Sequence, residues 1–171
     1  GYKRYKFYSI QMILDSYFPT AKDQAILLIF IMLQTGWNKE IALALDKETF
    51  ENSLSKSIDS NTTLIESSKN RGQIDSNVPY NDEKVIFAAS DKSDRYSAVN
   101  LIKLAIRLSS PLFTHLLDHK NEMKDDINNI FLLLNPANRW AANGRKNSLL
   151  SNKAQQRGIK EFLADQNIFS H

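Results

Sequence analysis

Two short segments carry residue types from which a phosphate-handling site can be built. The first is Thr35-Gly36-Trp37-Asn38-Lys39, where an apolar helix ends at a glycine turn and a second helix begins, with Asn38 as its N-cap. Such a corner directs backbone N–H groups and the side chain at position 38 or 39 toward one point, and helix starts of this kind hold anions. Taken alone, the corner is better explained by helix packing.

The second segment is Glu66-Ser67-Ser68-Lys69-Asn70-Arg71, which the sequence pattern places at the turn of a β-hairpin. An exposed lysine at such a turn can reach a phosphate, or protonate a leaving oxygen if its pKa is lowered. Lysine and asparagine are also ordinary residues of solvated turns. By itself, this segment therefore predicts no function.

The elements that would position these segments are mostly helical. Apolar spacing, N-caps and prolines predict helices over 8–18, 20–33, 39–45, 94–108, from Ser110-Pro111 onward, over 123–134 and over 153–166. Residues 46–50 are expected as a turn or short strand, and 51–61 as an exposed loop. A hairpin is expected over 62–80, with its turn at 68–72 and Val78-Pro79-Tyr80 ending its second strand.

The composition excludes several classes of protein. Of the 171 residues, 42% are hydrophobic and 24% charged, which is typical of a globular domain. There is no Cys, so disulfide scaffolds, thiolate metal sites and cysteine nucleophiles are excluded. The net charge of +3 permits a polyanionic partner without requiring one. The apolar run from Ala25 to Leu33 falls far short of the about 20 residues that span a bilayer. We therefore expect no membrane association and a cytoplasmic location.

The expected organisation is a linker or tail over 1–9, followed by a single domain over 10–171. The fold class is mainly α with a small antiparallel β-hairpin or sheet. The first residues are basic and aromatic, which suits contact with a DNA backbone as well as a solvated linker.

Together and in this order, the two segments resemble the tyrosine recombinase (phage integrase) family. That family has an apolar helix, then Thr-Gly-apolar-Arg-x-x-Glu, then Leu-x-Leu and an Asp, and later a hairpin with a lysine in its turn and a Val-Pro strand. This chain has Thr35-Gly36-Trp37, Leu43-Ala44-Leu45-Asp46, Lys69 and Val78-Pro79 in the matching order. The similarity covers residues 10–80 and extends loosely through the later helices.

The resemblance implies a tyrosine-recombinase-like catalytic domain that carries out DNA recombination or integration for a mobile element such as a phage. In that family a tyrosine attacks a DNA phosphodiester to form a 3′-phosphotyrosyl link. Arginines and a histidine stabilise the phosphoryl oxygens, and the hairpin lysine protonates the departing 5′-oxygen. No metal or other cofactor is needed, because cationic side chains supply the charge stabilisation. Double-stranded DNA is the implied partner, with self-association on the DNA.

On this chain, the resemblance makes Lys69 the general acid and places Asn38 where the family has its first arginine. Lys39 lies beside that position, and Arg71 is expected to contact phosphate. Three further cations around Trp140 are expected to bind DNA, although Trp140 itself is better explained as an anchor of its loop: Arg139, Arg145 and Lys146.

Several departures from the family pattern leave catalysis open. Asn38 can donate hydrogen bonds but brings no charge, and Glu40 lies one place before the family glutamate, which would align with Ile41. No His-x-x-Arg is present, and no tyrosine follows Tyr96, whose position suits a nucleophile poorly. We therefore expect that the catalytic C-terminal part lies beyond this chain. The alternatives are a non-catalytic DNA-binding relative of integrases and a helical protein-interaction domain.

One pair of histidines has the spacing of metal ligands. His115 and His119 lie four residues apart, on one face of a predicted helix. No third ligand is clearly placed, so we expect surface histidines rather than a metal site.

Overall fold

The computed structural model describes residues 9–70, 83–118, 128–134 and 147–166 of the chain. In these ranges the elements are, in order, α1 (Ile10–Tyr17), α2 (Ala21–Thr35), α3 (Lys39–Leu43), α4 (Lys47–Leu54), β1 (Thr62–Asn70), β2 (Glu83–Asp91), α5 (Ala98–Asp118) and α6 (Asn152–Asp165). The two strands form one antiparallel sheet. This mainly helical architecture with a small sheet confirms the coarse fold class expected from the sequence. No described helix combines the length and the apolar character that crossing a bilayer requires.

Helix α2 packs against both α5 and α6. Thr20 begins it with a capping box, in which the hydroxyl accepts from the Asp23 N–H and the Asp23 carboxylate accepts from the Thr20 N–H. Ile31 is fully buried. Gly36 ends the helix in the left-handed conformation at φ 70°, and its N–H donates to the Met32 carbonyl. The predicted caps at both ends of α2 are therefore confirmed.

Two non-helical segments, 128–134 and 147–150, lie in the core and are joined by backbone hydrogen bonds. The four apolar residues that directly follow Asn129 are fully buried. The Asn129 Nδ2 donates to the Leu43 carbonyl at 2.7 Å, so side-chain bonds also satisfy buried backbone groups here. The helix predicted over 123–134 is therefore wrong where the structure describes it. Its continuous apolar run carries no helical period to support it.

Helix α4 corrects the predicted turn or strand at 46–50 and the first part of the loop predicted over 51–61, whose residues 55–61 are exposed and non-helical as expected. The Asp46 carboxylate caps the helix by accepting a backbone N–H of the first turn at 2.8 Å. Phe50 is 1% exposed and anchors the helix in the core. An N-cap and one buried aromatic side chain thus outweigh the Ser and Asn content of the segment.

Helix α5 is continuous, although the sequence predicted a stop at Leu108 and a new helix at Ser110-Pro111. Pro111 lies inside the helix and removes one backbone donor. Before it, the Ser109 hydroxyl donates to a core carbonyl at 2.8 Å. After it, Leu112 is buried in a second apolar cluster. Packing on both sides of the proline therefore keeps the helix in one piece.

The strands β1 and β2 pair over all nine residues of each. The second strand therefore lies further along the chain than the predicted hairpin of 62–80. Val78-Pro79-Tyr80 lies outside the described residues, and β1 continues into the predicted turn at 68–72. The pattern missed β2 because Val85-Ile86-Phe87 is a continuous apolar run rather than an alternating one.

Helices α2 and α6 approach each other closely at Gly158. A Cβ atom at this position would lie 2.2 Å from the Ala21 carbonyl oxygen and 2.9 Å from the Ala25 Cβ. Because the nearest atoms belong to a helix backbone, they cannot move without shifting the whole helix.

We predict that Gly158→Ala destabilises the protein. Alanine would gain about 1 kcal/mol of helix propensity over glycine. Overpacking against backbone atoms costs up to about 3 kcal/mol, so the net loss should be about 1–2 kcal/mol in urea unfolding. The exposed neighbour Gln156→Ala is the control and should stay within about 0.5 kcal/mol of wild type. A Gly158→Ala protein as stable as wild type would contradict the close approach of α2 and α6.

Candidate nucleic-acid interface

The corner between α2 and α3 fixes Asn38 by a helix cap. The Asn38 Oδ1 accepts from the Ile41 N–H at 3.0 Å, which confirms the predicted N-cap of α3. The preceding Trp37 is buried, and its N–H donates to the Thr35 hydroxyl at 3.2 Å. Asn38 itself is exposed, and its Nδ2 has no hydrogen-bond partner among the described residues. The amide oxygen is thus committed to the helix, while the amide N–H groups are left for an external acceptor.

One buried hydrogen bond joins this corner to the hairpin. The Ser67 hydroxyl of β1 donates to the Ile41 carbonyl at 2.7 Å, and Ser67 is only 2% exposed. Ile41 therefore bonds in both directions, with its N–H to Asn38 and its carbonyl to Ser67. The two segments singled out in the sequence are therefore linked through the backbone of Ile41.

The rest of the hairpin is fixed to the helical core. Ile65 is fully buried, and α4 packs along β1. On the other strand, the Ser90 hydroxyl accepts from the Val99 N–H of α5 at 2.9 Å. The strand ends near Thr62 and Asp91, which we call the base of the hairpin, are therefore held in place.

Lysines occupy the opposite end of the hairpin. Lys69 and Lys84 are register partners, two positions beyond the pair of Ser67 and Ile86. Lys69 thus lies in β1 rather than in a turn. The side chain of Lys84 is exposed and makes no hydrogen bond or ion pair with any residue that the structure describes. Lys39, the first residue of α3, is also exposed.

Carboxylates and a lysine lie together at the base of the hairpin: Asp59, Asp91 and Lys92. Backbone N–H groups of Asn61 and Thr62 donate to the Asp59 carboxylate and lower its pKa below the usual range. Ser93 does the same for Asp91 through its hydroxyl and then its N–H, so this pKa is lowered as well. Both carboxylates are therefore ionised at neutral pH. Charged residues of both signs lie at both ends of the hairpin, with Asp91 beside Lys92 at the base and Glu83 beside Lys84 at the far end.

The residues predicted to form the site are thus placed only in part. The structure describes Asn38, Lys39 and the strand position of Lys69. Outside the described residues lie Arg71, Arg139, Trp140, Arg145, Lys146 and His119. Among the residues that are described, no three His, Asp or Glu side chains come together as a metal site.

Sequence reasoning missed two residues of this region, Ser67 and Lys84. Ser67 looked like an ordinary turn residue, because nothing local shows that its hydroxyl meets Ile41. Lys84 becomes the partner of Lys69 only once 83–91 is assigned as the second strand. The apolar run Val85-Ile86-Phe87 was the signal that could have located this strand.

A cleft of about 410 Å³ lies among α1, α2 and α5. Two carboxylates line it, those of Asp15 and Asp23. The Asp23 carboxylate is already bonded to the Thr20 N–H and hydroxyl at 2.9 and 2.7 Å. No lysine or arginine is among the described residues that line the cleft. It therefore does not compete with the hairpin as a phosphate site.

No protein-family model matches this chain, and no curated protein or solved structure matches it. The likeness to tyrosine recombinases therefore stays a prediction from the sequence motifs.

Substitutions at Asn38 should show how much its side-chain cap stabilises α3. Asn38→Ala and Asn38→Arg both remove the oxygen that caps α3, and each should lower the free energy of unfolding by about 1 kcal/mol. Asn38→Asp keeps that oxygen and should match wild type within about 0.3 kcal/mol. Urea unfolding at neutral pH measures all three variants. Equal stabilities for Asn38→Ala and Asn38→Asp would show that the cap contributes nothing.

Proposed function

We propose that this chain binds double-stranded DNA as the core of a tyrosine-recombinase-like integrase. The observation that carries the proposal is that the Ile41 backbone makes one hydrogen bond to the corner and one to the hairpin. Its N–H bonds Asn38 and its carbonyl bonds Ser67 of the hairpin strand, at 3.0 and 2.7 Å. This couples the position of the family's first arginine to the strand that carries Lys69. The family chemistry needs both positions to act on one phosphate.

Each residue of the proposed interface has a chemical role. The free N–H groups of Asn38 donate to a phosphoryl oxygen, and the Lys39 ammonium supplies a nearby positive charge. Lys69 protonates the 5′-oxygen as its bond to phosphorus breaks and a tyrosine oxygen forms the new bond. The attacking tyrosine is not assigned to a residue of this chain. Tyr96 lies near the base of the hairpin, away from the Lys69 end, and is not proposed for that role.

Two readings of the site share DNA binding and differ in catalysis. With Asn38 in place of arginine, the first phosphoryl contact loses a full charge, which favours a non-catalytic DNA-binding relative. If Lys39 supplies the positive charge of the missing arginine, the chain is a divergent enzyme. Both readings imply a cytoplasmic protein that associates with further copies on DNA.

We expect binding to a labelled duplex, measured by fluorescence anisotropy, to weaken steeply as the KCl concentration rises. Each lost phosphate contact lowers the slope of log K against log salt by about 0.9, so Lys39→Gln and Lys69→Gln should each flatten it by that amount. Lys103→Gln, an exposed lysine of α5, is the matched control and should leave the slope unchanged. Absence of duplex binding by wild type at low salt would overturn the proposal.

A nicked suicide duplex then separates the two readings with the full-length protein. A covalent protein–DNA adduct that is lost in Lys69→Gln supports the recombinase. Intact binding with no adduct supports the non-catalytic relative.

A second candidate function, a protein-interaction module, is favoured by α1. This helix leaves Met12, Ile13 and Tyr17 52%, 54% and 76% exposed. Exposed apolar side chains on one short helix are typical of a docking surface.

If α1 mediates association, wild type should sediment as an oligomer, and Tyr17→Lys should dissociate it. Ile159→Lys is the control, since this residue is an exposed apolar side chain of α6. A monomeric wild type with salt-sensitive DNA binding would remove this candidate.

A further inference from the structure

We infer that the contact between the hairpin and α5 contains a binding site for one water molecule, formed by the hydroxyls of Thr63, Ser90 and Ser97. The site lies at the buried base of the hairpin and does not depend on the proposed DNA-binding function. Two of its hydroxyls, those of Thr63 and Ser97, are buried and have no hydrogen-bond partner among the described residues. A buried hydroxyl without a partner is costly, so native structures satisfy nearly all of them with protein groups or ordered water.

The register of the sheet brings Thr63 beside Ser90. The two residues lie directly opposite each other on β1 and β2, so their Cβ atoms are about 4.5–5.5 Å apart on the same side of the sheet. Thr63 is 0% exposed and Ser90 6% exposed, which shows that this side faces the core. Hydroxyls that branch from such a pair can be bridged by one water.

The start of α5 supplies the third hydroxyl. The Val99 N–H donates to the Ser90 Oγ at 2.9 Å, so a serine of the sheet caps the first turn of the helix. Ser97 directly precedes α5, and its carbonyl accepts from the Asn100 and Leu101 N–H groups at 3.1 and 3.0 Å. The Ser97 hydroxyl takes no part in the cap. It is therefore available for a ligand in the same turn of chain as the N–H that Ser90 binds.

Water suits these partners better than an ion does. Each hydroxyl can both donate and accept a hydrogen bond, and an internal water typically makes about three. The carboxylates of Asp59 and Asp91 lie at the same end of the hairpin and oppose an anion. A cation would face the N-terminal N–H groups of α5, which form the positive end of the helix dipole. The ligand is therefore a neutral molecule that donates and accepts.

The melting temperature of Thr63→Val distinguishes a bridged hydroxyl from an unpartnered one. Valine keeps the shape of threonine and removes its oxygen. If water bonds this oxygen, the variant should lose about 2–4 °C, because one hydrogen bond disappears and the water keeps fewer partners. Ser97→Ala should lose a similar amount, since its hydroxyl makes no cap bond. A melting temperature of Thr63→Val equal to or above that of wild type would reveal an unsatisfied hydroxyl and overturn the inference.

The double variant tests whether Thr63 and Ser97 bind the same water. With a shared water, the two substitutions together should lower the melting temperature by less than the sum of the single losses. Ser67→Ala is the matched control, because its buried hydroxyl bonds the Ile41 carbonyl about 13 Å further along β1. Its loss should add to that of Thr63→Val. Additive losses for Thr63→Val and Ser97→Ala would contradict a shared site.

A high-resolution crystal structure of the wild-type chain identifies the ligand directly. We expect one ordered water within about 3 Å of both the Thr63 Oγ1 and the Ser97 Oγ. Crystals grown in sodium bromide provide a second arm, because bromide is recognised by its anomalous scattering. A bromide peak at the site would assign it to an anion, and a Thr63 hydroxyl bonded only to protein groups would remove the site. Either result overturns the inference and leaves duplex binding, which is measured separately, unaffected.

Discussion

The packing of α2 against α5 and α6 fixes where the chain can turn and which faces remain for function. The approach at Gly158 is so close that the two helix backbones are nearly in contact, and it sets the position of the α2 N-terminus. At the other end, Gly36 reverses the chain in a conformation that residues with a Cβ adopt at a cost. The position of the corner that carries Asn38 is therefore set by a helix that packs against both α5 and α6.

Buried polar groups extend this control to the non-helical core. Gln24 of α2 is fully buried, and its Nε2 donates to the Ser109 hydroxyl at 3.0 Å and to the Leu132 carbonyl at 2.7 Å. The Ser109 hydroxyl in turn donates a hydrogen bond to the Ile130 carbonyl. One side chain on α2 and one on α5 thus satisfy backbone groups that a helix or a sheet would otherwise satisfy. These hydrogen bonds allow a non-helical segment to lie in the buried core.

The sequence predicts this protein well where the rules are local and poorly where they are not. The caps at Thr20, Gly36 and Asn38 depend on neighbouring residues and were predicted correctly. The continuity of α5 through Pro111 and the strand opposite β1 depend on distant packing, which a pattern along the chain does not show. The same division holds for the candidate site. Motifs single out Asn38 and Lys69, whereas the bond of Ser67 to Ile41 and the register of Lys84 opposite Lys69 emerge only from pairing across elements.

The distribution of charge along the hairpin has a consequence for encounter with a polyanion. Nine residues of strand span about 30 Å, whereas the screening length at physiological ionic strength is about 8 Å. The two ends are therefore electrically independent, and each carries charges of both signs, Asp91 beside Lys92 and Glu83 beside Lys84. A polyanion responds to the few charges within that length of its point of approach, so the total charge of the chain does not determine where it binds.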